Sequence, residues 1–413
     1  MRKIIITIAI YYAQLFCSFA QAPAAGDSSA YIDRKLKLDE VNFVSGYYHQ
    51  DGNHSAVTGG VGTENLTDIA NTLDLKLSWM NARGNSHHVS FEMGVDHYTS
   101  ASSDNIRLPG TGTHGYSLTG PSSQDTRFYP SLTYSFENKK KGLLMGAGAT
   151  YSHEYDYESR GVHLIFAKTS KDKNREMGVK LFAYLDDWTV IYPYELRPPG
   201  YGNAADEEGG DGDAIVKPRN SFQAAFTFSQ VMSKRLQLAV LFDPAYQEGQ
   251  LTTLYQRVYF TDGSKRVENL PGTRLKIPVA IRANYFLGDR VILRTYYRYY
   301  QDDWGNKAHT VNLETPVKIT PFISLVPFYR YSEQTGIDYF APYGEHSLQE
   351  TYYTSDYDLS KFTSRFFGMG IRIAPANGVF GIQHWNSLEL RAGHYSRSPD
   401  LEANSVTLAL KFK

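Results

Sequence analysis

Four side chains in the N-terminal part of the chain have the chemistry of a metal site. They surround a glycine-rich turn, Gly59, Gly60 and Gly62, in a polar segment. Carboxylate and backbone carbonyl oxygens suit Ca²⁺, and an imidazole suits a transition metal, so a divalent cation is the predicted ligand. A polar loop with turn glycines is the alternative. The candidate ligands are Asp51, His54, Glu64 and Asp68.

A second set of charged residues is divided between the two halves of the chain. If alternate strand residues share a face, acids of the N-terminal half and bases of the C-terminal half point into one interior. Opposite charges on facing walls would set a transverse field that selects small polar solutes. The same groups could instead pair and fill the interior. The acids are Asp74, Glu92, Asp96 and Glu154, and the bases are Lys276, Arg282, Arg294, Arg298 and Arg391.

Two Asp-Asp-Trp triplets fall where strands are predicted to reach an extracellular rim. Tryptophan suits the interfacial belt of a membrane protein, and the acids would then line a vestibule. A ligand site shared by both triplets is the alternative. The triplets are Asp186-Asp187-Trp188 and Asp302-Asp303-Trp304.

The remaining charge pattern contains one acidic run and no basic stripe. Asp206 to Asp213 read DEEGGDGD in the longest predicted loop. This run could bind Ca²⁺ or bridge cations to lipopolysaccharide, but it lacks EF-hand spacing, and a solvated loop is the alternative. The formal net charge is -1, from 42 basic and 43 acidic residues. Nucleic acid is therefore not a predicted partner.

The sequence does not predict an enzyme. No Gly-x-Ser-x-Gly, His-Glu-x-x-His or Ser-x-x-Lys arrangement stands near credible partner residues. His97 beside Asp96, with Ser100 nearby, is the best basis for a hydrolase, and a histidine in a strand near a rim is usually structural.

Strands must position these residues, because apolar and polar residues alternate along most of the chain. The pattern predicts about 16 antiparallel strands, between about 14 and 18, in a transmembrane β-barrel. The first lies near Leu36 to Gln50 and the last near Glu402 to Lys413. In the last strand Val406, Leu408, Leu410 and Phe412 share one face, which is typical of the strand that closes an outer-membrane barrel. Other apolar sets are Leu73, Leu75, Leu77 and Trp79; Val89, Phe91, Met93 and Val95; and Leu275, Ile277, Val279 and Ile281.

The connections between predicted strands alternate in length. Long connections are expected at 51–65, 102–122, 191–217, 251–271 and 337–360, and short turns at 82–85, 138–141, 170–174 and 288–289. This pattern predicts long extracellular loops and short periplasmic turns, with both termini in the periplasm. Four prolines fall inside predicted strands, where bulges or strand ends are expected because proline cannot donate to the ladder. They are Pro130, Pro278, Pro316 and Pro327.

The start of the chain reads as an export signal. Arg2 and Lys3 precede an apolar stretch, and Ser18 and Ala20 form a small-x-small cleavage site. We therefore predict a signal peptide at 1–20, a flexible periplasmic segment at 21–34 and an outer-membrane barrel of a Gram-negative bacterium at 35–413. Cys17 is the single cysteine and would leave with the signal, so the mature chain would have no disulfide and no thiol nucleophile.

Five stretches of the chain carry a resemblance to a known family. They are KLDEVNFVSGYYHQDGNHSAVTGGVGTENLTD (37–68), GVDHYTSASSD (94–104), RYYQDDWG (298–305), YFAPYGEHS (339–347) and YYTSDYDLS (352–360). They resemble the domain of unknown function 3570, an uncharacterised family of exported proteins found mainly in Bacteroidota. The resemblance implies an outer-membrane barrel with no assigned catalytic residues. It also implies a genomic setting near flavin-transferase-like and thioredoxin-like proteins and a small lipoprotein, which hints at redox or metal handling.

These observations predict a channel or transport barrel for small polar or charged solutes. One alternative is a partner-dependent barrel that acts as anchor, sleeve or receptor for a redox- or metal-handling complex of the envelope, with a periplasmic lipoprotein or redox protein as partner. Another is a structural protein that binds cations and lipopolysaccharide. Insertion would require the barrel assembly machinery. No cofactor-binding signature is found.

Overall fold

The computed structural model describes residues 35–99, 124–199 and 215–413. Sixteen antiparallel strands form one closed barrel, as the sequence predicts. β9 and β12 each consist of two segments. The strands are β1 Lys37–Gly52, β2 Leu66–Met80, β3 Ser86–Thr99, β4 Gln124–Asn138, β5 Leu143–His153, β6 Tyr157–Thr169, β7 Arg175–Thr189, β8 Val216–Ser233, β9 Leu236–Phe242 and Ala245–Gly249, β10 Thr273–Leu287, β11 Val291–Asp302, β12 Lys307–Glu314 and Val317–Lys318, β13 Ile323–Gln334, β14 Phe362–Ile373, β15 Trp385–Arg397 and β16 Leu401–Phe412.

The first and last strands close the barrel. β1 and β16 pair in antiparallel register from Val41 opposite Phe412 to Gly52 opposite Leu401. Closure leaves no strand edge with unpaired backbone groups, which is the condition for spanning a bilayer with strands. The prediction that the C-terminal strand closes the barrel is confirmed.

The outer face of the wall is apolar. Large apolar residues at alternate strand positions stay exposed, such as Leu132 at 54 %, Val162 at 62 % and Phe367 at 51 %. Residues of this kind are normally buried in a soluble domain, so a band of them on the outside is a lipid-facing surface. The predicted alternation of apolar and polar faces is therefore confirmed.

Aromatic residues mark the periplasmic end of the outer face. Trp79 at the end of β2 stacks on His87 at the start of β3, with ring centroids 5.1 Å apart. Trp385 and Phe412 stack at 5.7 Å where β15 and β16 meet. These pairs suit the boundary between hydrocarbon and head groups. None of the described residues belongs to a helix that is long and apolar enough to cross a membrane.

Of the four strand prolines, Pro316 lies in a strand interruption, and Pro327 and Pro278 lie opposite interruptions in a neighbouring strand. Pro316 separates the two segments of β12, as expected of a residue that cannot donate to the ladder. Pro327 lies inside β13, and the Thr315 amide donates to its carbonyl at 3.0 Å. Pro278 lies inside β10, opposite the break in β9 at Asp243. The expected irregularity is therefore found at Pro316 and, in the partner strand, opposite Pro278 and Pro327, whereas β4 continues through Pro130 without a register shift.

The connections follow the predicted alternation. Long loops follow β1, β7, β9 and β13, and turns of a few residues follow β2, β4, β6, β8 and β10. The connection 374–384 between β14 and β15 is the longest described one on the periplasmic side. The predicted signal peptide, the segment 21–34, the loop 102–122 and the acidic run 206–213 lie outside the described residues.

Candidate functional site

The long extracellular loops pack against one another. We call this body the cap and define it as residues 53–65, 190–199, 250–272 and 335–361. A short hairpin, Arg257–Tyr259 with Lys265–Val267, forms its centre. Two bridges join the hairpin loop to the loop after β13, one between Phe260 and His346 and one between Asn269 and Tyr353. The cap also has apolar clusters of its own, one of which holds Leu270, Trp304 and Ile337.

Arg257 ties three segments of the cap together. Its side chain is fully buried and donates to the Val57 carbonyl at 2.9 Å and to Glu195 Oε1 at 2.8 Å. Burial alone would raise the pKa of Glu195, but the hydrogen bond and positive charge of Arg257, together with further hydrogen bonds that include one from Lys265, hold this pKa at about 2. Lys265 Nζ lies 3.1 Å from the same Glu195 oxygen. A buried arginine with satisfied partners fixes the loops in one arrangement.

A pair of buried carboxyls lies deeper in the cap. Glu268 accepts from the Thr253 amide at 2.7 Å and from the Thr354 hydroxyl. Burial raises the pKa of Glu268 to about 8, and the neighbouring Asp356 adds to the shift. Burial also raises the pKa of Asp356 to about 7, with repulsion from Asp358 as the next cause. Because two adjacent buried acids cannot both ionise easily, the pair retains protons near neutral pH.

Two cavities lie where the cap meets the upper lumen. The larger has a volume of about 700 Å³ and lies among cap residues and strands β1, β13, β14, β15 and β16. The smaller has a volume of about 400 Å³ and lies against β4, β6, β7 and β8. Tyr98 and Tyr255 line both, so the cavities adjoin at these two rings. We name them the larger cavity and the smaller cavity.

Charged and aromatic groups line the two cavities. The larger cavity carries Glu64, Asp356, Asp358, Arg330 and Arg397 beside rings of Tyr48, Phe366 and Tyr395. The smaller cavity carries Asp125, Glu154, Asp156, Arg127 and Arg219 beside rings of Tyr155, Tyr157 and Trp188. Aromatic walls with a few placed charges are typical of sites for small polar ligands.

The predicted metal ligands are not gathered around one point. Within the described residues, no group of three or more His, Cys, Asp and Glu side chains is placed to hold a metal ion. His54 stacks on Tyr357 at 4.0 Å, and its Nδ1 lies 3.0 Å from the Gly60 carbonyl. Glu64 turns toward Arg397 instead, with 3.9 Å between Oε2 and Nη2. Asp51 is the last residue but one of β1, and Asp68 is the third residue of β2.

The predicted lumen acids lie on one wall, and some of them are paired. Asp74 accepts from Ser90 at 2.9 Å and lies 3.1 Å from Lys76. Glu92 is directly opposite Asp74 and shares its face. Further up, Asp96 accepts from the Tyr129 hydroxyl at 2.9 Å. The fourth acid, Glu154, lies 3.7 Å from Arg127 Nε.

The predicted lumen bases divide in the same way. Arg294 and Arg391 both bind Glu314, at 2.7 Å and 2.8 Å. Since Glu314 is on β12 and Arg391 on β15, this contact crosses the lumen side of two intervening strands. Within the described residues no ion pair involves Lys276, Arg282 or Arg298. Arg282 lies opposite Tyr296, and Arg298 lies opposite Ala280 and Thr310.

The tryptophans of the two Asp-Asp-Trp triplets turn inward rather than toward lipid. Trp188 lies under Arg219, 5.0 Å from the guanidinium to the ring centroid, and lines the smaller cavity. Trp304 is 3 % exposed and donates to the Thr273 carbonyl at 2.8 Å. The prediction that both tryptophans belong to the interfacial belt is wrong, because Trp188 lines the smaller cavity and Trp304 is buried beneath the loops.

The four rim acids are held by neighbouring groups. Asp186 is buried beside Arg219 Nε at 3.5 Å, and Asp302 binds Arg274 at 2.6 Å. Asp187 lies 3.6 Å from Arg160, and Asp303 accepts from the Leu275 amide at 2.9 Å. The suggested hydrolase pair is also separated, because Asp96 faces the lumen and the neighbouring His97 faces outward, with Nδ1 2.9 Å from Thr126 Oγ1.

Sequence reasoning singled out Glu64, Glu154 and Trp188 among the cavity residues, but it missed most of the others. Arg257, Glu195, Glu268, Arg330 and Arg397 belong to no recognised motif, and only their assembly from distant loops brings them together. The single signal was the family resemblance, since YFAPYGEHS contributes His346 and YYTSDYDLS contributes Asp356 to the cap.

A closed sixteen-stranded barrel with an apolar outer face and a charged interior is an outer-membrane β-barrel. The chain belongs to the family described as "Protein of unknown function (DUF3570)", whose model matches residues 109–407. The N-terminal string 37–68 and the stretch 94–104 precede the matched region. No curated protein matches the chain.

Solved structures match this chain over nearly its whole length at low sequence identity. A BenF-like porin from Pseudomonas fluorescens Pf-5 is 9 % identical, with 91 % of this chain and 98 % of that chain covered and a TM-score of 0.42. OccD3 (OpdP) from Pseudomonas aeruginosa is 8 % identical, with 96 % of both chains covered and a TM-score of 0.43. A structure titled "Bacterial polysaccharide outer membrane secretin" is 10 % identical, with 91 % and 98 % covered and a TM-score of 0.41.

Proposed function

We propose that this barrel transports small polar or charged solutes across the outer membrane, with the cap as the structure that restricts entry. The observation that carries the proposal is the separation of charge across the lumen. In a ring of sixteen strands, β3 and β11 are diametrically opposite. Glu92 and Asp96 point inward from β3, and Arg294 and Arg298 point inward from β11.

Several of these groups are not neutralised by partners. Within the described residues, Glu92, Arg282 and Arg298 take part in no ion pair. Uncompensated charges on the wall of an aqueous lumen set its ion preference, whereas paired charges mainly fill space. Glu314 between Arg294 and Arg391 is the paired counterexample lower in the barrel.

Single-channel recording in a planar bilayer tests this proposal. The wild-type barrel is expected to give stable conductance, and the double variant R282Q/R298Q is expected to pass fewer anions relative to cations. R365Q is the matched control, because Arg365 carries the same charge on the outward face, opposite Tyr331. No conductance from a folded barrel, or equal selectivity in all three proteins, would reject the proposal.

The cap also favours a second candidate, a barrel that works with an envelope partner. Loops that form their own buried clusters at the extracellular end are suited to a body that a partner opens or replaces. A folded barrel that conducts nothing alone but co-purifies with a periplasmic or surface lipoprotein or redox protein would support this candidate over free transport.

A further inference from the structure

Two acids of the smaller cavity are held by hydrogen bonds and not by an arginine or lysine of the described residues. Asp125 accepts only from backbone amides, those of Thr126 at 2.6 Å and Tyr155 at 3.0 Å. Asp156 accepts from the Trp188 indole at 3.3 Å. Neither carboxylate forms an ion pair with any of the described residues. Both line the smaller cavity outside any such ion pair, and burial raises the pKa of Asp156.

The arginines of that cavity are already engaged. Arg127 donates to Ser152 at 2.9 Å and lies 3.7 Å from Glu154. Arg219 lies 3.5 Å from Asp186 and over the rings of Tyr157 and Trp188, at 4.9 Å and 5.0 Å. Because both arginines already have acidic partners, Asp125 and Asp156 give the smaller cavity a surplus of negative charge beside aromatic rings. Aromatic faces and carboxylates together attract an ammonium group.

The larger cavity contains an arginine that forms no ion pair with the described residues. Arg397 is occupied, because Asp358 binds it and Glu64 lies 3.9 Å away. Arg330 forms no ion pair within the described part of the chain, and its guanidinium lies 5.9 Å from the centre of the Phe366 ring. Asp356 also lines this cavity, but it accepts from the Asp358 amide at 2.9 Å and its raised pKa leaves it partly protonated. Arg330 is thus the free charge, and a guanidinium binds a carboxylate with two parallel hydrogen bonds.

We propose that the two cavities form one site for a zwitterion with separated charges, such as a short linear peptide. The ammonium end lies at Asp125 and Asp156, the carboxylate end lies at Arg330, and the chain passes Tyr98 and Tyr255. This inference rests on the proposed transport function and names the solute class of the same lumen. A solute with one charged end satisfies only one of the two cavities.

Titration calorimetry on the folded barrel in detergent tests the inference without requiring conductance. The probes are trialanine, N-acetyl-trialanine, which lacks the ammonium, and trialanine amide, which lacks the carboxylate. Trialanine is expected to bind about tenfold more tightly than either analogue, since each removes one charged hydrogen-bonding group. Equal affinities for all three, or no binding of trialanine at millimolar concentration, would overturn the inference.

Two variants assign the ends of the ligand. D125N/D156N is expected to abolish the preference for trialanine over the acetylated analogue and to keep the preference over the amide. R330Q is expected to do the reverse. The controls E333Q and R365Q neutralise outward-facing charges near the same rim and should leave all affinities unchanged. If both test variants lowered every affinity equally, the assignment of ends would be wrong.

The two proposals can fail separately. If the barrel conducts ions but binds the three probes equally, the transport proposal is supported and the zwitterion site is rejected. If the barrel prefers trialanine but conducts nothing, the zwitterion site is supported and free transport is rejected. That result would favour the partner-dependent candidate.

Discussion

At the scale of single residues, Arg257 is the side chain on which the cap most depends. Replacement by methionine keeps its length but removes the bonds to Glu195 and to the Val57 carbonyl. Breaking a buried ion pair costs about 3–5 kcal/mol, here in the local stability of the cap. We expect faster hydrogen exchange in 53–65 and 250–272 of R257M, measured by mass spectrometry on the folded barrel.

Lys265 offers a matched control for this experiment. It binds the same Glu195 oxygen at 3.1 Å, but its side chain is 30 % exposed. An exposed pair contributes about 0–1 kcal/mol, so K265M should leave the exchange rates nearly unchanged. If K265M raised the exchange rates as much as R257M, the positive charge near Glu195 would stabilise the loops, and the buried hydrogen bonds of Arg257 would not be required.

The buried Glu268 makes cap stability depend on pH. Its pKa is raised by burial from the usual 4.5 to about 8. A carboxyl whose folded pKa is raised stabilises the folded form fully below the unfolded pKa, and this contribution is lost as pH rises through the folded pKa. Cap stability should therefore fall between about pH 4.5 and pH 8.

Hydrogen-exchange protection factors, corrected for intrinsic exchange rates, test this pH dependence. Protection of 250–272 and 335–361 should decrease from pH 5.5 to pH 8 in the wild type and change much less in E268Q. The amide keeps the acceptor for the Thr253 amide at 2.7 Å but cannot ionise. A wild type and an E268Q with the same pH slope would show that Asp356 or another group controls the effect.

At the residue level, the sequence supports predictions of side-chain direction only where strand alternation applies. The inward direction of Asp74, Asp96, Arg294 and Arg391 follows from counting by two along a strand. Contacts between loops cannot be predicted by counting along a strand, because tertiary packing alone brings Arg257 and Val57 together. The same limit explains Trp304, whose position after a strand end left its direction undetermined by alternation.

At the scale of elements, the cap hairpin is the part whose removal should change transport most. We replace 256–268 by a short Gly-Ser linker, which deletes both hairpin strands and the Arg257 anchor but leaves β9 and β10 intact. Tyr255 would lose the packing that holds it between the cavities. The conductance of this variant should rise, and its preference between trialanine and its analogues should fall.

The matched control shortens a connection that lies outside the cap. Replacing 376–382 in the connection between β14 and β15 by a linker of equal flexibility removes exposed residues such as Phe380 at the periplasmic end. Its conductance and probe preference should stay at wild-type levels. A control that conducts more than the hairpin deletion would place the restriction at the periplasmic end.

Element bounds were largely predictable because the alternation period and the loop lengths carry independent information. The first strand, expected near Leu36 to Gln50, spans Lys37–Gly52, and the last, expected near Glu402 to Lys413, spans Leu401–Phe412. The hairpin inside the loop 250–272 was not predicted, since two strands of three residues leave too short a pattern to recognise. The breaks in β9 and β12 were signalled only by prolines.

At the scale of the whole molecule, wall and cap are stabilised by different interactions. The wall is a continuous ladder closed by β1 and β16, while the cap depends on buried side chains between loops. We therefore expect the folded barrel to resist SDS without heating and to migrate faster than the heated chain. R257M and E268Q should keep this heat-modifiable mobility, because neither residue contributes to the ladder.

Deletion of 401–413 should abolish this mobility, since the loss of β16 leaves β1 and β15 with unpaired edges that a membrane-spanning sheet cannot tolerate. If R257M also lost the compact band, the cap would be required for barrel closure itself, and the view of the loops as a separable restriction on the lumen would have to be abandoned.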